Sequence, residues 1–365
     1  MRVVYFVERF WPLLGGVEVL SAALLRDLSA RGHEVTVITG VDHEDLPERE
    51  GYHGCDVHRL SLVPPIRERD LETLVRVRGR IRSILTAFRP DVVHAVFTGA
   101  SVFYLKRSVL GDVPLIMSFH GSWPMIDFVP DAGLAYVLDE ADWVTACSRA
   151  ALGDLRALTP VVRDKSSVVL NGLDPADPAE PGPPPEGPPV LLTSGRVVFD
   201  KGFDLAIEAF ARVVEAFPEA RLVVAGDGTE VGALRARAAE LGVGERVEFR
   251  GWVSPHAVAS LVAEASVVVV PSRLEGFGLV ALEAAHGARP VVATRVGGLP
   301  EVVADGETGL LVEPEDPSGL AAAILALLHA PEDILRMGRA ARTRALELFS
   351  ARRHAGEWEA LYERL

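Results

Sequence analysis

The feature of this sequence that most constrains its fold is a repeated alternation of short apolar runs with longer segments of helical periodicity. In the first half the runs span residues 2–7, 34–39, 91–96, 114–119, 143–147 and 167–170. Runs this apolar between helical segments are typical of strands buried on both faces of a parallel sheet. The segment 16–31, which follows the first run, carries an apolar stripe at helical spacing, formed by Val17, Leu20, Leu24 and Leu28.

A proline-rich stretch, residues 175–189, interrupts the alternation and cannot hold a helix or a central strand. A second series of apolar runs follows at residues 190–194, 221–225, 247–250, 266–270 and 290–294. The pattern predicts an α/β protein with two Rossmann-like, doubly wound domains facing across a cleft, residues 1–174 and 190–350, joined by a linker. The amphipathic segment 351–365 is predicted to cross back and pack on the first domain through Trp358, Leu361, Tyr362 and Leu365.

Composition excludes several classes of protein. The 365 residues suffice for two domains, and a formal net charge of −14 argues against nucleic acid as the main partner. No apolar run approaches the roughly 20 residues that a membrane-spanning helix needs. The first residues are expected to form a strand rather than a signal peptide. Cys55 and Cys147 have no ligand-like spacing, so we expect reduced, structural cysteines in a cytoplasmic protein.

The chemistry is expected in residues 272–301. Glycines at 276 and 278 allow a sharp turn and a close approach to a ligand, and the helix predicted over residues 280–287 directs its first N–H groups at the same point. This arrangement suits a diphosphate. Glu275 and Glu283 lie eight residues apart and could accept hydrogen bonds from hydroxyls at two ends of a polyol.

The motif Glu275-Gly276-Phe277-Gly278-Leu279 with Glu283, followed by Gly297-Gly298-Leu299-Pro300-Glu301, resembles the retaining glycosyltransferases of family 4, which have the GT-B fold. The resemblance extends over nearly the whole chain. Its other parts, in order, are Gly15-Gly16, Phe119-His120-Gly121, Asn171-Gly172-Leu173-Asp174, Ser194-Gly195-Arg196 and Lys201-Gly202.

The resemblance implies roles for several of these positions. Arg196 and Lys201 would neutralise the diphosphate, Glu275 would hold hydroxyls of the donor sugar, and His120 would touch the sugar near the reacting carbon. Glu283 would hold the ribose hydroxyls, and the base would lie near residues 226–228 and 250–253. The remaining donor-binding positions are Gly15, Gly16, Gly226, Gly228, Gly276, Phe277, Gly278 and Leu279.

The implied reaction transfers a hexose-type sugar, with retention, from a nucleotide diphosphate, UDP or GDP being favoured, to a small hydroxylated or glycan acceptor. The departing phosphate would take the acceptor's proton, and the protein would contribute mainly electrostatic stabilisation. No Asp-x-Asp triplet occurs in the sequence, so neither a metal nor any other cofactor is expected.

The acceptor is expected in the first domain, in loops after its strands at residues 10–14, 96–101 and 122–127. The candidate acceptor residues there are Trp11, Phe97, Trp123 and Asp127. Arginines 76, 78, 80 and 82 lie among apolar residues and could mark a membrane-surface helix. A solvated helix beside the acceptor site is the favoured interpretation, because acidic residues dilute the patch.

Three alternatives to a glycosyltransferase remain open. A nucleotide-sugar epimerase shares the architecture but needs acid/base groups around the sugar C2. A pseudo-glycosyltransferase that couples cyclitols would keep the phosphate clamp and change what Glu275 contacts. The third alternative, a catalytically silent nucleotide-sugar binding protein, is disfavoured by the intact set of charged residues.

Overall fold

A computed structural model describes residues 1–13, 15–41, 45–121, 138–176 and 179–365. The chain divides into two compact units, one formed by Met1–Leu173 with Ala351–Leu365 and the other by Asp174–Ser350. Each unit is a sheet of mainly parallel strands connected by helices. Residues 175–189, predicted as a linker, lie within the second unit.

The first unit contains an eight-stranded sheet with the order β3-β4-β2-β1-β5-β6-β7-β8. Every neighbouring pair is parallel except β3 and β4, which are antiparallel. The strands are β1 Arg2–Phe6, β2 Glu34–Gly40, β3 Arg49–Tyr52, β4 Cys55–Leu60, β5 Val92–Val96, β6 Leu115–Phe119, β7 Trp143–Ala146 and β8 Ser166–Val168. The helices are Gly16–Ala30, Pro64–Glu68, Leu71–Phe88, Gly99–Tyr104, Arg107–Leu110, Arg149–Leu158 and Ala351–Arg364, with a 3₁₀ turn at Pro160–Val162.

Both faces of this sheet are buried, as successive residues of β1 show. Val4 and Phe6 belong to one apolar cluster, and Val3 and Tyr5 belong to another. Because successive side chains of a strand point to opposite faces, the two clusters lie on opposite sides of the sheet. The prediction that these runs are strands buried on both faces is therefore confirmed.

The second unit contains a six-stranded sheet, all parallel, with the order β11-β10-β9-β12-β13-β14. The strands are β9 Val190–Ser194, β10 Arg221–Ala225, β11 Val247–Gly251, β12 Val267–Val270, β13 Val291–Thr294 and β14 Gly309–Val312. The helices are Phe203–Ala216, Val231–Glu240, Pro255–Glu264, Leu279–His286, Leu299–Val302, Pro317–His329 and Pro331–Leu348. Short 3₁₀ turns occur at Phe199–Lys201 and Gly244–Arg246.

The sequence did not predict three strands, β3, β4 and β14. β3 and β4 form a hairpin at the sheet edge whose turn residues, His53 and Gly54, both have positive φ, 44° and 86°. A two-residue turn of this kind favours a hairpin, and β4 alternates buried and partly buried residues. β3 and β4 are less apolar than the central strands, so a search for continuous apolar runs does not detect them, whereas β14 is mostly apolar but only four residues long.

In the described part of the chain, no single helix is long and apolar enough to cross a membrane. One pair, Pro317–His329 with Pro331–Arg364, meets the length and composition criteria only when taken together, across a bend of 103°.

The C-terminal helix, Ala351–Arg364, packs on the first unit, as its amphipathic pattern predicts. The prediction was wrong for Leu365, which lies beyond the end of the helix and is 40% exposed. Trp358 and Tyr362 are each 1% exposed and belong to the same apolar cluster as Val3 and Tyr5. At its surface Glu359 pairs with Arg31 at 2.9 Å and accepts a second contact from His33 at 2.9 Å. Apolar burial therefore fixes the helix, and the ion pair adds little at a surface site.

We predict that Trp358→Ala destabilises the first unit by about 3–5 kcal/mol, because the substitution leaves a large cavity under the helix. Urea unfolding followed by hydrogen exchange of β1 and β5 measures the loss. Trp252→Ala is the matched control, since Trp252 is 61% exposed and its removal leaves no cavity. A loss of less than about 1 kcal/mol for Trp358→Ala would contradict this account of the helix.

Candidate functional site

Two glycine turns of the second unit pack backbone against backbone. The Gly298 N–H donates to the Glu275 carbonyl at 3.1 Å, and a Cβ on Gly298 would lie 2.7 Å from the Phe277 Cα. Gly278, the residue before helix Leu279–His286, has φ of 107°, which disfavours any other residue. Packing therefore accounts for the glycine at position 298 without any ligand contact.

The loop that carries Arg196 is held by two further glycines, Gly226 and Gly228. Both have φ near the limit of the positive region, 151° and 159°, and a Cβ on either would overlap a carbonyl oxygen of the segment Gly195–Val197. The Val197 N–H donates to the Asp227 carbonyl at 2.9 Å. These glycines thus hold the Arg196 loop in place, whether or not they also contact a ligand.

Arg196 itself is exposed, and its side chain makes no hydrogen bond or ion pair with any other described residue. An arginine without a protein partner beside a glycine loop leaves its guanidinium available for an anion.

Lys201 lies at the end of the 3₁₀ turn Phe199–Lys201, and backbone contacts join this turn to the segment leading to Glu275. Gly202 has φ of 64°, and a Cβ there would overlap the Pro271 carbonyl oxygen. The Arg273 and Leu274 N–H groups both donate to the Asp200 carbonyl, at 2.8 and 3.1 Å. The structure thereby brings together two predicted site residues that are 74 positions apart.

The Glu275 carboxylate is oriented by two donors on one oxygen. Lys201 Nζ donates to Oε2 at 2.8 Å, and Ser272 Oγ donates to the same oxygen at 3.0 Å. Within the described residues Oε1 accepts no hydrogen bond. Because an ammonium has three N–H donors, Lys201 retains two for a ligand, and Glu275 retains a free acceptor oxygen.

Glu283 lies in the second turn of helix Leu279–His286 and is partly buried. Among the described residues its carboxylate has no hydrogen-bond or ion-pair partner. Burial of the unpaired carboxylate raises its pKa to about 7. Ligand hydroxyl groups that donate to this carboxylate would supply the hydrogen bonds that it lacks.

In the first unit, Gly15 and Gly16 stand where helix Gly16–Ala30 begins. Gly15 is extended, with φ of −132°, and no side chain caps the helix. The Glu18 carboxylate lies against Gly15, where a Cβ would overlap its Oε2, and is 3.9 Å from Arg9. A phosphate placed at this helix start would have to displace that carboxylate, because like charges repel.

His120 directly follows β6 and is held at one nitrogen. Its Nε2 lies 3.2 Å from Ser118 Oγ, whereas Nδ1 is buried without a hydrogen bond. Burial lowers the pKa of His120 to about 4, and the neighbouring Asn171 side chain partly opposes this shift. His120 is therefore a neutral imidazole near pH 7, suited to hydrogen bonding rather than to neutralising a phosphate.

The predicted acceptor residues are only partly described. Trp11 is 37% exposed, with its ring 5.3 Å from that of Tyr52. The Phe97 ring is stacked at 4.1 Å on Phe119, so one of its faces is already used in packing. Trp123 and Asp127 lie outside the described residues.

The arginine-rich helix is Leu71–Phe88, and most of its basic groups have partners on the protein. Arg76 pairs with Glu72 at 2.9 Å, and Arg78 and Arg82 donate to Ser108. These contacts support the solvated-helix interpretation over a membrane surface. The exposed apolar residues of this helix are Leu71 and Val75.

Comparison with known proteins identifies the family. Residues 14–177 match the family model described as Glycosyltransferase Family 4, and residues 178–344 match the model described as Glycosyl transferases group 1. The chain is 30% identical to a glycogen synthase of Mycobacterium tuberculosis over 94% of this chain and 90% of that protein. The chain belongs to glycosyltransferase family 4.

Two further similarities extend this identification. A D-inositol 3-phosphate glycosyltransferase of Acidothermus cellulolyticus is 33% identical over 86% of this chain and 78% of that protein. Sucrose-phosphate synthase from Thermosynechococcus elongatus superposes with a TM-score of 0.84 at 24% identity, over 100% of this chain and 98% of that one.

Anabaena HepE, solved in complex with UDP and glucose, superposes with a TM-score of 0.82 at 21% identity over 100% of both chains. These structural similarities establish the GT-B fold, with its two Rossmann-like domains. The predicted family, fold class and glycosyltransferase activity are thus confirmed.

Arg273 supports the candidate site, and sequence reasoning missed it. Its guanidinium donates to both carboxylate oxygens of Asp204, at 2.8 and 2.7 Å, and to Glu315 at 2.5 Å. It also lies over the Phe199 ring, 4.0 Å from the centroid, and so covers the turn that carries Lys201. Its partners lie far away in sequence, so the sequence offers no local signal for this contact.

We predict that Glu283→Gln stabilises the second unit at pH 8 and leaves its stability unchanged at pH 4. The pKa of Glu283 is about 7 in the folded protein and 4.5 ordinarily, so the folded state binds more protons between these values. The free energy of unfolding therefore falls as pH rises through this window. Glutamine carries no charge, so Glu283→Gln is expected to raise the free energy of unfolding by about 1–3 kcal/mol at pH 8.

Thermal unfolding at pH 4 and pH 8 measures this effect. The matched control is Glu332→Gln, an exposed glutamate of the same unit. Equal unfolding temperatures for Glu283→Gln and the wild type at pH 8 would show that burial does not destabilise the ionised form of this carboxylate.

Proposed function

We propose that this glycosyltransferase transfers a hexose-type sugar, with retention, from a nucleotide diphosphate to a small hydroxylated or glycan acceptor. The observation that carries the proposal is the Lys201–Glu275 pair, 2.8 Å apart, which within the described residues keeps unused donors and an unused acceptor oxygen five residues along the chain from Arg196. A nucleotide diphosphate sugar fits these groups, because its diphosphate needs cations and its hydroxyl groups need hydrogen-bond acceptors.

The negative charge of the leaving nucleoside diphosphate would be met by Arg196 and by the two free N–H donors of Lys201. The first N–H groups of helix Leu279–His286 add a positive helix terminus at the Gly276–Gly278 turn. Contacts within the second unit hold Lys201 and this helix terminus in place, so little reorganisation of these two groups opposes the charge that develops as the phosphate leaves.

In the proposed reaction, the bond between the sugar C1 and the phosphate oxygen breaks, and a bond from an acceptor hydroxyl to C1 forms on the same face. The acceptor's proton passes to the departing phosphate oxygen, which balances the step without a protein base. Glu275 Oε1 would accept from a sugar hydroxyl, and Glu283 would accept from the ribose hydroxyls. The proposed contact of His120 with the sugar uses a neutral ring.

UDP is the first nucleotide to test, because the superposable Anabaena protein was solved with UDP and glucose. GDP is the second. The base is proposed to lie beside residues 226–228, where the Gly226 N–H donates to the Gly251 carbonyl at 2.8 Å and the exposed Trp252 follows. The acceptor is proposed to bind the first unit near Trp11 and Phe97.

The three alternatives give different products from the same donor. An epimerase returns a sugar altered at C2, a cyclitol-coupling relative requires a cyclitol acceptor, and a silent binding protein releases no sugar. A nucleotide-sugar panel read by NMR separates them, because the anomeric signal of the first product reports both turnover and retention. An inverted anomer, or an altered C2 without transfer, would overturn the proposed reaction.

We predict that alanine substitution of the two glutamates affects different measured quantities. Glu283→Ala weakens UDP binding by about 10- to 100-fold, since it removes charge-assisted hydrogen bonds of about 1.5–3 kcal/mol. Glu275→Ala lowers donor hydrolysis by at least a similar factor with less effect on free UDP, because its contacts are to the sugar.

Calorimetry with UDP, GDP and ADP, together with donor hydrolysis, measures both effects, and Glu332→Gln again serves as the control. Equal UDP affinities for the two variants would contradict the assignment of ribose to Glu283 and sugar to Glu275.

We also propose that catalysis needs no metal, because the sequence contains no Asp-x-Asp triplet and two cations are available for the diphosphate. Donor hydrolysis is predicted to continue in EDTA at an unchanged rate. Loss of activity in EDTA that Mg²⁺ or Mn²⁺ restores would assign the charge neutralisation to a metal instead.

The proposed location is the cytoplasm. Cys55 and Cys147 are both buried, and no disulfide joins them, which is compatible with a reducing compartment.

A further inference from the structure

Behind His120, the first unit contains a buried chain of polar groups that runs from the C-terminal helix to the end of β6. The hydroxyl of Tyr362 lies 2.7 Å from His94 Nδ1, and His94 Nε2 lies 2.9 Å from Ser118 Oγ. Ser118 Oγ in turn lies 3.2 Å from His120 Nε2. We call these four residues the buried histidine chain. Unpaired polar groups in such a core are costly, so the direction of each hydrogen bond matters.

The His94 ring is held from two sides. The Trp358 ring lies 4.0 Å away at an interplanar angle of 30°, and the Tyr5 ring meets it edge-on at 4.7 Å. His94 is fully buried, and burial lowers its pKa well below its usual range. The imidazole is therefore neutral, so one ring nitrogen donates a hydrogen bond and the other accepts one.

The Tyr362 hydroxyl determines which atom donates and which accepts in each hydrogen bond of the chain. Among the described residues its sole hydrogen-bond partner is His94 Nδ1, and a buried phenol has to donate its proton to avoid an unsatisfied group. Nδ1 of His94 therefore accepts, and Nε2–H donates to Ser118. The Ser118 hydroxyl then directs its own proton either to His120 Nε2, at 3.2 Å, or to the Ala95 carbonyl, at 3.4 Å.

Two observations favour His120 as the acceptor. The contact of Ser118 Oγ with His120 Nε2 is the shorter of the two, at 3.2 Å against 3.4 Å to the Ala95 carbonyl. The Asn171 side chain beside His120 raises the pKa of the ring, as a hydrogen-bond acceptor does, and its buried Oδ1 has no donor among the described residues. An acceptor next to the ring favours a hydrogen on Nδ1, which leaves Nε2 to accept from Ser118.

We propose that Tyr362, His94 and Ser118 are positioning residues that hold His120 in its Nδ1–H tautomer and fix the orientation of its ring. The functional part of this inference rests on the proposed contact of His120 with the donor sugar. The structural part is the tautomer of His120 and its dependence on Tyr362. It depends only on residues of the first unit and not on the proposed function.

The test is Tyr362→Phe, which removes one oxygen and keeps the buried ring. Histidine-labelled protein, observed by ¹⁵N NMR near pH 7 and assigned with His94→Gln and His120→Gln, reports the tautomer of each ring. We expect wild-type His120 to be protonated at Nδ1 and Tyr362→Phe to shift the ring nitrogens of both His94 and His120. Donor turnover should fall about five-fold, as expected for one hydrogen bond, with UDP affinity unchanged.

The matched control is Tyr104→Phe, because Tyr104 is also a fully buried tyrosine of the first unit and donates to the Leu62 carbonyl at 3.1 Å. It should lower stability to a similar degree and leave both histidines and turnover unchanged. Ser118→Ala is the second variant, and it should shift His120 even where Tyr362→Phe perturbs folding.

Three results would overturn the proposal: an Nε2–H tautomer for His120 in the wild type, unchanged His120 signals in both Tyr362→Phe and Ser118→Ala, or an equal response to Tyr104→Phe. A protein that turns over no nucleotide sugar but shows the expected shifts would refute the proposed function and leave the buried histidine chain intact.

Discussion

The donor side of this protein depends on the close approach of backbones at glycines. Gly202 packs on the Pro271 carbonyl, Gly226 on that of Gly195, and Gly298 on the turn at Gly276. In each case a Cβ would meet backbone atoms, which cannot rotate away as a side chain can. Loops that are distant in sequence are thereby fixed against one another, and so are the charged side chains that they carry.

This fixed geometry leaves some charges unsatisfied in the free protein. Lys201 and Glu275 neutralise each other, but Arg196 has no partner among the described residues, and Glu283 is desolvated without one. Folding alone would favour replacing Glu283 with a neutral residue. Its presence is understandable if a ligand supplies the missing hydrogen bonds, because binding sites are commonly less stable than the rest of a fold.

Sequence alone predicted the central strands to within two residues, because strands buried on both faces leave a continuous apolar signal. It did not predict the edge hairpin formed by Arg49–Tyr52 and Cys55–Leu60, whose alternating pattern is weaker. Motifs located Glu275 and Lys201, but their 2.8 Å contact, and the clamp that Arg273 makes on Asp204, join residues far apart in the chain. Such contacts follow from the tertiary fold, and no local pattern contains them.

The C-terminal helix shows the same division between what sequence predicts and what it does not. Amphipathic spacing predicted that Trp358 and Tyr362 are buried, but a spacing rule treats tyrosine as an apolar ring. The hydrogen bond from Tyr362 to His94 spans 268 positions, and closing so long a loop carries an entropic cost that one hydrogen bond of about 1 kcal/mol cannot offset. Apolar burial must supply that stability. The hydroxyl group instead orients the His94 ring and, through Ser118, the His120 ring. A fixed ring orientation is what a neutral histidine needs in order to hydrogen-bond a sugar.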